Sequence, residues 1–346
     1  MTTGRYKAVY ILYPRGSRTG GPEALHQLAA ALRELGTPAF LVPFPQTLAQ
    51  PRVSEYEHYD VPEADKVVDQ PGNAVVSPEN HYFGLAKYRR VDRFCWWLSI
   101  DNSQLFGVRR LDKKSKAGFR TRLSHSPKRV FVKWVRPLAM HMPVHHLAQS
   151  AYASNFLHSV AHVPSTMLSD YISLPISSAD KSPDRNPRQI AFNFTKGGHL
   201  VQQVINSRAV DARWVPIQHM DREEVIRTLR SSAIYLDLGH QPGKDRLPRE
   251  AAASGAVTLV ARRGAGKSSL DFPLPHDHKI IADNSVTESA SVALNKVLAD
   301  LSHQYARQET FRRAIELERQ IFMKEVQRIF IEGRLGADLG TGEDRE

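Results

Sequence analysis

Apolar residues along this chain alternate between short unbroken runs and stretches where they recur every three or four positions, and no other feature restricts the fold so strongly. Ala8 to Tyr13 is an unbroken run of six, as expected of a strand covered on both faces. From Pro22 to Leu35, the residues Leu25, Leu28, Ala29, Leu32 and Leu35 repeat at helical spacing. Gly20 and Gly21 precede that helix, Pro22 suits its first turn and Gly36 suits its end. Further strands are expected at 39–42, 73–76 and 94–100. The alternation restarts at Ile190, with strands at 190–194, 214–217, 234–238 and 257–261 and helices near 199–204, 221–229 and 248–254. From about Ser285 to Ile331 the pattern is helical. Strands that alternate with helices build parallel sheets with helices on both faces. The expected fold class is therefore α/β, with two doubly wound domains of similar size and a helical C-terminal segment.

Ser177 to Gln189 is polar, contains proline and has no apolar period, which is linker composition. The expected organisation is a first domain over 1–176, a linker over 177–189, a second domain over 190–332 and a polar tail over 333–346. At 41% hydrophobic and 24% charged residues the composition is that of a globular protein, which excludes collagen, coiled coil and wholesale disorder. No apolar run approaches the roughly 20 residues of a membrane-spanning helix. The opening residues pass into a strand without the longer apolar stretch of a secretory signal, so a cytoplasmic location is expected. Cys95 is the single cysteine, which rules out an internal disulfide and a multi-cysteine zinc cage.

The formal charge of +11 is concentrated in one place. Between Arg109 and Arg136 stand eleven Lys and Arg against one acid, Asp112, which is +10; the rest of the chain is close to neutral. Phe119, Phe131 and Trp134 are interleaved with those cations. Such a segment suits contact with an anionic membrane surface at the inner face, or with an anionic acceptor. Stacking on nucleic acid is the less favoured use, and a solvated loop is the simplest.

The densest chemical signal is YLDLGHQPGKDRLPREAAASGAVTLV, Tyr235 to Val260: a strand, a polar Gly- and Pro-containing loop, a short helix and another strand. With Pro248 in the first turn of the helix, Glu250 falls in that turn too, where a carboxylate complements the helix dipole. Gly243, Lys244 and Arg246 set a flexible backbone and two cations beside the exposed N–H groups of that helix. An anionic ligand is the implication. Arg249 completes this candidate donor-binding set.

That block resembles the C-terminal donor site of glycosyltransferases of the two-Rossmann type (GT-B), especially family 4. Gly20 to Gly36, GGPEALHQLAAALRELG, is similar to the family's opening loop and helix; FNFTKGGHL, from Phe192, is similar to the Lys-Gly segment that opens its second domain. WWLSIDN at Trp96 and QSAYAS at Gln149 resemble its first-domain strands. The resemblance implies two facing Rossmann-like domains, with Glu250 gripping the ribose of a nucleotide-sugar donor, Lys196 meeting the diphosphate, and Gly21 part of the loop that faces the leaving group, Gly20 beside it in the donor-binding set. Two departures stand out. Pro242 occupies the place of the family's first glutamate, and Asn193 lies where an arginine is usual.

The implied reaction moves a sugar to an acceptor hydroxyl on a glycan or a lipid-linked molecule, with retention as in family 4. No Asp-x-Asp occurs in the chain, so metal-independent transfer without a cofactor is expected. Glu79, His81 and Asp101 are the acceptor-side candidates for catalysis, since polar groups just past a strand can face a ligand crevice. ARRGAGKSS at Ala261 nearly matches a nucleotide phosphate loop, but Pro273 and Pro275 interrupt the helix such a loop must open. His141 with His145 and His276 with His278 have metal-like spacings in loop contexts and are not assigned a metal. A nucleic-acid-binding protein using 109–136 and a non-catalytic sugar-nucleotide binder are the alternative readings.

Overall fold

The computed structural model describes residues 5–106, 139–173 and 185–336. The cationic segment 109–136, residues 177–184 of the expected linker and most of the expected tail lie outside the described residues. The chain divides into two compact units, one formed within Met1–Asp170 and Gln320–Glu346, the other within Tyr171–Arg319.

The first unit is built on a six-stranded sheet in the order β2-β1-β3-β4-β5-β6. Its strands are β1 (Ala8–Tyr13), β2 (Ala39–Pro43), β3 (Asn73–Pro78), β4 (Asp92–Trp97), β5 (His145–Ala148) and β6 (Ser165–Met167). Every pairing is parallel. All six residues of β1 and of β3 are buried, which explains the unbroken apolar run of β1. Helix α1 (Gly20–Glu34) lays Leu25, Leu28, Ala29 and Leu32 inward. It ends where the amide of Gly36, in the left-handed conformation at φ 82°, donates to the Arg33 carbonyl. The helix begins two residues earlier than expected, so Gly20 and Gly21 are its first residues and not a loop before it.

After β3 the chain forms 3₁₀ turns over Glu79–Lys87 in place of a full helix. Helix α2 (Ala151–Ser159) is capped by the Ser150 hydroxyl, which accepts from the amide of Ala153. The indoles of β4 are both satisfied: Trp96 donates to the Leu168 carbonyl at 2.8 Å and Trp97 to Nδ1 of His146 at 3.0 Å.

The second unit holds a parallel five-stranded sheet in the order β11-β10-β9-β7-β8. Its strands are β7 (Asn186–Asn193), β8 (Arg213–Ile217), β9 (Ser232–Asp237), β10 (Val257–Ala261) and β11 (Lys279–Ile280). The helices are α3 (Gly198–Ser207), α4 (Arg222–Ser231), α5 (Arg246–Ala253), α6 (Val286–Ala299), α7 (Leu301–Ala306) and α8 (Glu309–Glu316). Asp221 and Glu224 close a capping box at the start of α4.

Two expected boundaries are corrected. Asn186 to Gln189, read as linker, form the first half of β7: Asn186 pairs with Ser232, Gln189 pairs with Arg213, and the buried Gln189 amide donates to Ser231 and Ser232. Pro187 and Arg188 are exposed, and the buried Gln189 is tolerated because its side-chain hydrogen bonds satisfy it there. The residues from Gln320 onward, read as part of the second domain, belong to the first unit. Within α9 (Glu318–Val326) and the π-turn Gln327–Ile331, Phe322 stacks on Trp96, and Phe330 packs on Phe94 and Tyr6. Glu325 accepts from both the amide and the hydroxyl of Ser169.

Candidate functional site

In open parallel sheets the ligand crevice lies at the carboxyl ends of the strands, where the strand order reverses. In the second unit that point falls between β7 and β9, since β8 lies on one side of β7 and β9 on the other. The loops leaving these two strands touch. A Cβ on Gly197, at φ 77°, would lie 2.5 Å from the amide nitrogen of Gly239; a Cβ on Gly239 would lie 2.7 Å from Cβ of Lys196 and 2.9 Å from Oδ1 of Asp237. Only glycine permits this approach. The loop after β10 is tied in too, for the Ala265 amide donates to the Gln241 carbonyl at 2.8 Å, and Gly264 passes too close to that carbonyl for any side chain. Ala265–Lys267 form a 3₁₀ turn and not the long helix of a nucleotide phosphate loop.

Of the expected donor-side residues, Lys196, Gly243 and Lys244 lie in the loops after β7 and β9, and Arg246, Arg249 and Glu250 lie in the helix that follows. The Lys196 ammonium is paired with Asp245, and the Lys196 amide donates to Oδ1 of Asn193 at 3.0 Å. Thus Asn193, which departs from the expected arginine, fixes the turn that carries the lysine. Asp237, buried at the end of β9, accepts from the Gly239 amide at 2.8 Å and from the Tyr235 hydroxyl at 3.1 Å. Burial and the neighbouring Asp245 raise its pKa, while Lys196 opposes the rise. Sequence reasoning missed Asp237 and Asp245. Their signal was an acidic residue at the end of a buried strand and the alternating charges of GKDR.

Helix α5 corrects the position expected for Glu250 in the helix. It begins at Arg246, with Asp245 at the position before it, so Glu250 lies beyond the first turn, and no acidic residue occupies that turn. The dipole therefore does not account for this carboxylate. Glu250 is buried and its Oε1 is 2.8 Å from Nη1 of Arg222, the first residue of α4. Arg222 was not identified from the sequence, where nothing links positions 28 residues apart.

Of the other cations, Lys244 is paired with Glu318 at 2.7 Å, and one guanidinium nitrogen of Arg246 donates to the Tyr171 carbonyl. Arg249 is fully buried; it pairs with Glu318 at 2.8 Å and donates to the carbonyls of Lys244 and Asp245. Its side chain fixes the Gly243–Asp245 loop from inside the unit and is not placed for a ligand. Gly243 is buried in that loop, its carbonyl accepting from the Asp245 amide.

In the first unit the strand order reverses between β1 and β3. Gly20 and Gly21 open α1 beyond β1, and a Cβ on Gly21 would meet only Leu98, at 3.7 Å. The three acceptor-side candidates are not one cluster. Glu79 is 3% exposed and its Oε2 accepts from the Leu98 amide at 2.9 Å. Desolvation lifts its pKa from 4.5 to about 7 against the pull of backbone N–H groups. His81 turns toward β2 and stacks on Phe44, centroids 4.2 Å apart. Burial, reinforced by Lys87, holds its pKa below the usual imidazole value. Asp101 is half-buried in the 3₁₀ turn Ile100–Asn102, and its charge adds to burial in raising the pKa of Tyr152. Among the described residues no three His, Cys, Asp or Glu side chains converge as a metal-ion cage, and no helix is long and apolar enough to cross a membrane.

No protein-family model matches the sequence, and no curated protein matches it. Solved structures do match in fold. Sucrose-phosphate synthase from Thermosynechococcus elongatus superposes with a TM-score of 0.62 at 10% identity over 93% of this chain and 98% of its own. HepE from Anabaena, solved with UDP-glucose, gives 0.61 at 12% identity over 93% and 98%. WaaG, a glycosyltransferase of lipopolysaccharide biosynthesis, gives 0.60 at 13% identity over 94% and 100%. The fold is therefore the α/β, two-Rossmann GT-B fold that the motifs suggest.

Proposed function

We propose that the protein is a glycosyltransferase that moves a sugar from a nucleotide-sugar donor to an acceptor hydroxyl. The observation that carries this reading is the buried Glu250, presented by α5 just past the β7/β9 reversal and fixed by Arg222. A carboxylate held there accepts hydrogen bonds from a pair of vicinal hydroxyls such as those of ribose. Lys196 supplies the cation for the diphosphate, exchanging its partner Asp245 for phosphate oxygens. Lys244 contributes charge to the same loop while its own partner is Glu318.

In such a reaction the nucleoside diphosphate leaves as an anion while an oxocarbenium-like sugar is attacked by the acceptor oxygen. Cations and backbone N–H groups fixed before the reaction stabilise the leaving group without reorganising. Transfer with retention and without a metal ion is the form that fits the resemblance and the lack of an Asp-x-Asp element. HepE was solved with UDP-glucose, which makes a uridine diphosphate sugar the first donor to test. We place the reaction in the cytoplasm, on a cell-surface glycan or glycolipid acceptor, with 109–136 holding the enzyme at an anionic membrane face. One observation favours a second reading, a non-catalytic sugar-nucleotide binder: Pro242 stands where the family carries a glutamate.

The test is a panel of nucleotide sugars scored for thermal stabilisation and for release of nucleoside diphosphate. One donor class is expected to stabilise the parent and to be turned over, with both responses lost in Glu250→Ala. Stabilisation without any release establishes the non-catalytic reading. A melting temperature unmoved by every donor refutes both.

A further inference from the structure

The segment after β3 sends Glu79 and His81 in different directions. Glu79 holds the backbone of Leu98, whereas the imidazole of His81 lies over the Phe44 ring, 21° from parallel. A Cβ on Gly84 would lie 2.2 Å from Nε2 of His81, so the ring edge occupies space that only a glycine leaves open. Stacked on one side and wedged on another, the imidazole forms a fixed wall of a cavity of about 380 Å³ within the first unit. Leu12, Val42 and Phe44 also line it, as does the exposed Leu48. Its volume falls in the lower part of the range for small-ligand pockets.

Charge decides what this cavity suits. Lys66 and Lys87 are balanced by Asp65 and Asp69, and a neutral His81 adds nothing, so the lining has no net charge. Asp69 is already engaged, accepting from the amides of Arg89, Arg90 and Val91 at 2.8 to 3.0 Å. A phosphate or a lipid headgroup calls for an excess of cations. A hydrocarbon chain calls for a lining without four ionised groups, whose desolvation it would not repay. A ring with a C–H face and a hydroxylated edge matches both parts of the lining, the aromatic and aliphatic surface and the mixed donors and acceptors.

We propose that this cavity binds a neutral saccharide ring, with the Phe44–His81 stack under its C–H face and Asp65 and Lys66 on its hydroxyls. That the ring belongs to the acceptor rests on the glycosyl-transfer reading; that the cavity takes a sugar does not. It assigns His81 to acceptor binding and removes it from proton transfer.

The experiment is saturation-transfer NMR on the full chain without nucleotide, using glucose, galactose, mannose, N-acetylglucosamine and their disaccharides, beside glucuronate and geranyl phosphate. A neutral sugar is expected to show transfer concentrated on the protons of one ring face. The affinity should fall by about tenfold or more in His81→Ala and in Gly84→Ala, which displaces the ring without removing it. Asp65→Asn, at an exposed position of the lining, should weaken binding with an unchanged melting temperature. Lys196→Ala should leave the sugar signal intact while abolishing the nucleotide-sugar response, which separates this proposal from the donor reading. Absence of transfer to every neutral sugar overturns the proposal. So does undiminished binding in folded His81→Ala and Asp65→Asn, or preference for glucuronate or geranyl phosphate.

Discussion

Arg249 and Glu318 form an ion pair sealed inside the second unit, with Nη1 and Oε2 2.8 Å apart and neither side chain more than 3% exposed. The same carboxylate is 2.7 Å from the ammonium of Lys244, so one acidic residue compensates two cations, one in the loop before α5 and one within the helix. A buried pair adds little beyond its desolvation cost, but removing one partner leaves an uncompensated charge. Glu318→Gln is therefore expected to cost about 3 to 5 kcal/mol, read by chemical denaturation. Replacing both residues, as in Arg249→Met with Glu318→Leu, should cost less than the single change. A single variant as stable as the parent would contradict this account of the loop.

Glycine at position 239 is required by a contact and not by its own torsion angles. Gly239→Ala drives a Cβ into Lys196 and Asp237 and should displace the lysine from Asp245. Gly197→Ala adds the left-handed φ of 77° to a collision with backbone, and should be the more damaging of the two. Overpacking of this kind costs about 1 to 3 kcal/mol. Thermal unfolding orders the two variants, and both should bind nucleotide sugar more weakly than the parent.

Glu79 should make stability depend on pH in the direction opposite to an ordinary carboxylate. Its pKa is about 7 in the folded chain against 4.5, so between those values the folded state holds the proton and the unfolded state has released it. Stability is therefore lost as pH rises through this window. Glu79→Gln keeps an oxygen for the Leu98 amide and has no proton to lose. Relative to the parent it should gain about 3 kcal/mol from below 4.5 to above 7, at about 1.4 kcal/mol per unit. Denaturation curves across that range check this, and a pH-independent difference would contradict it.

His146 works with the other sign. Burial lowers its pKa from 6.5 to about 4, and its Nδ1 accepts from the Trp97 indole, so the folded chain keeps it neutral. The unfolded chain takes up a proton as pH falls below 6.5, and stability is lost between 6.5 and about 4. His146→Gln retains an acceptor without titrating. The parent should lose about 3 kcal/mol relative to it across that window, again by denaturation.

The framework was legible because burial leaves a plain mark on composition. The AVYILY run of β1 and the periodic leucines of α1 have only one comfortable arrangement each, and the second unit repeats the theme. Asn186 to Gln189 were illegible because the strand end is exposed at Pro187 and Arg188, and the buried Gln189 is satisfied by Ser231 and Ser232, which composition cannot register. The end of the second unit was misplaced since an apolar helix face does not say which core it enters; Phe322 and Phe330 serve Trp96 and Phe94. At the candidate site, Glu250 and Lys196 were named from motif resemblance, but their partners Arg222 and Asp245 are tertiary contacts 28 and 49 residues away. The start of α5 was read two residues late because Asp245 and Arg246 break its apolar period, and with it went the dipole argument for Glu250.

The central claim is that the loops after β7 and β9 hold a nucleoside diphosphate through Lys196. Calorimetric titration of the parent and of Lys196→Ala with UDP, GDP, ADP and dTDP addresses it most directly. One nucleotide should bind the parent, with affinity that falls as ionic strength rises, and the variant should bind it at least about tenfold more weakly. No binding of any nucleotide by the parent, or equal binding by the variant, would contradict the claim.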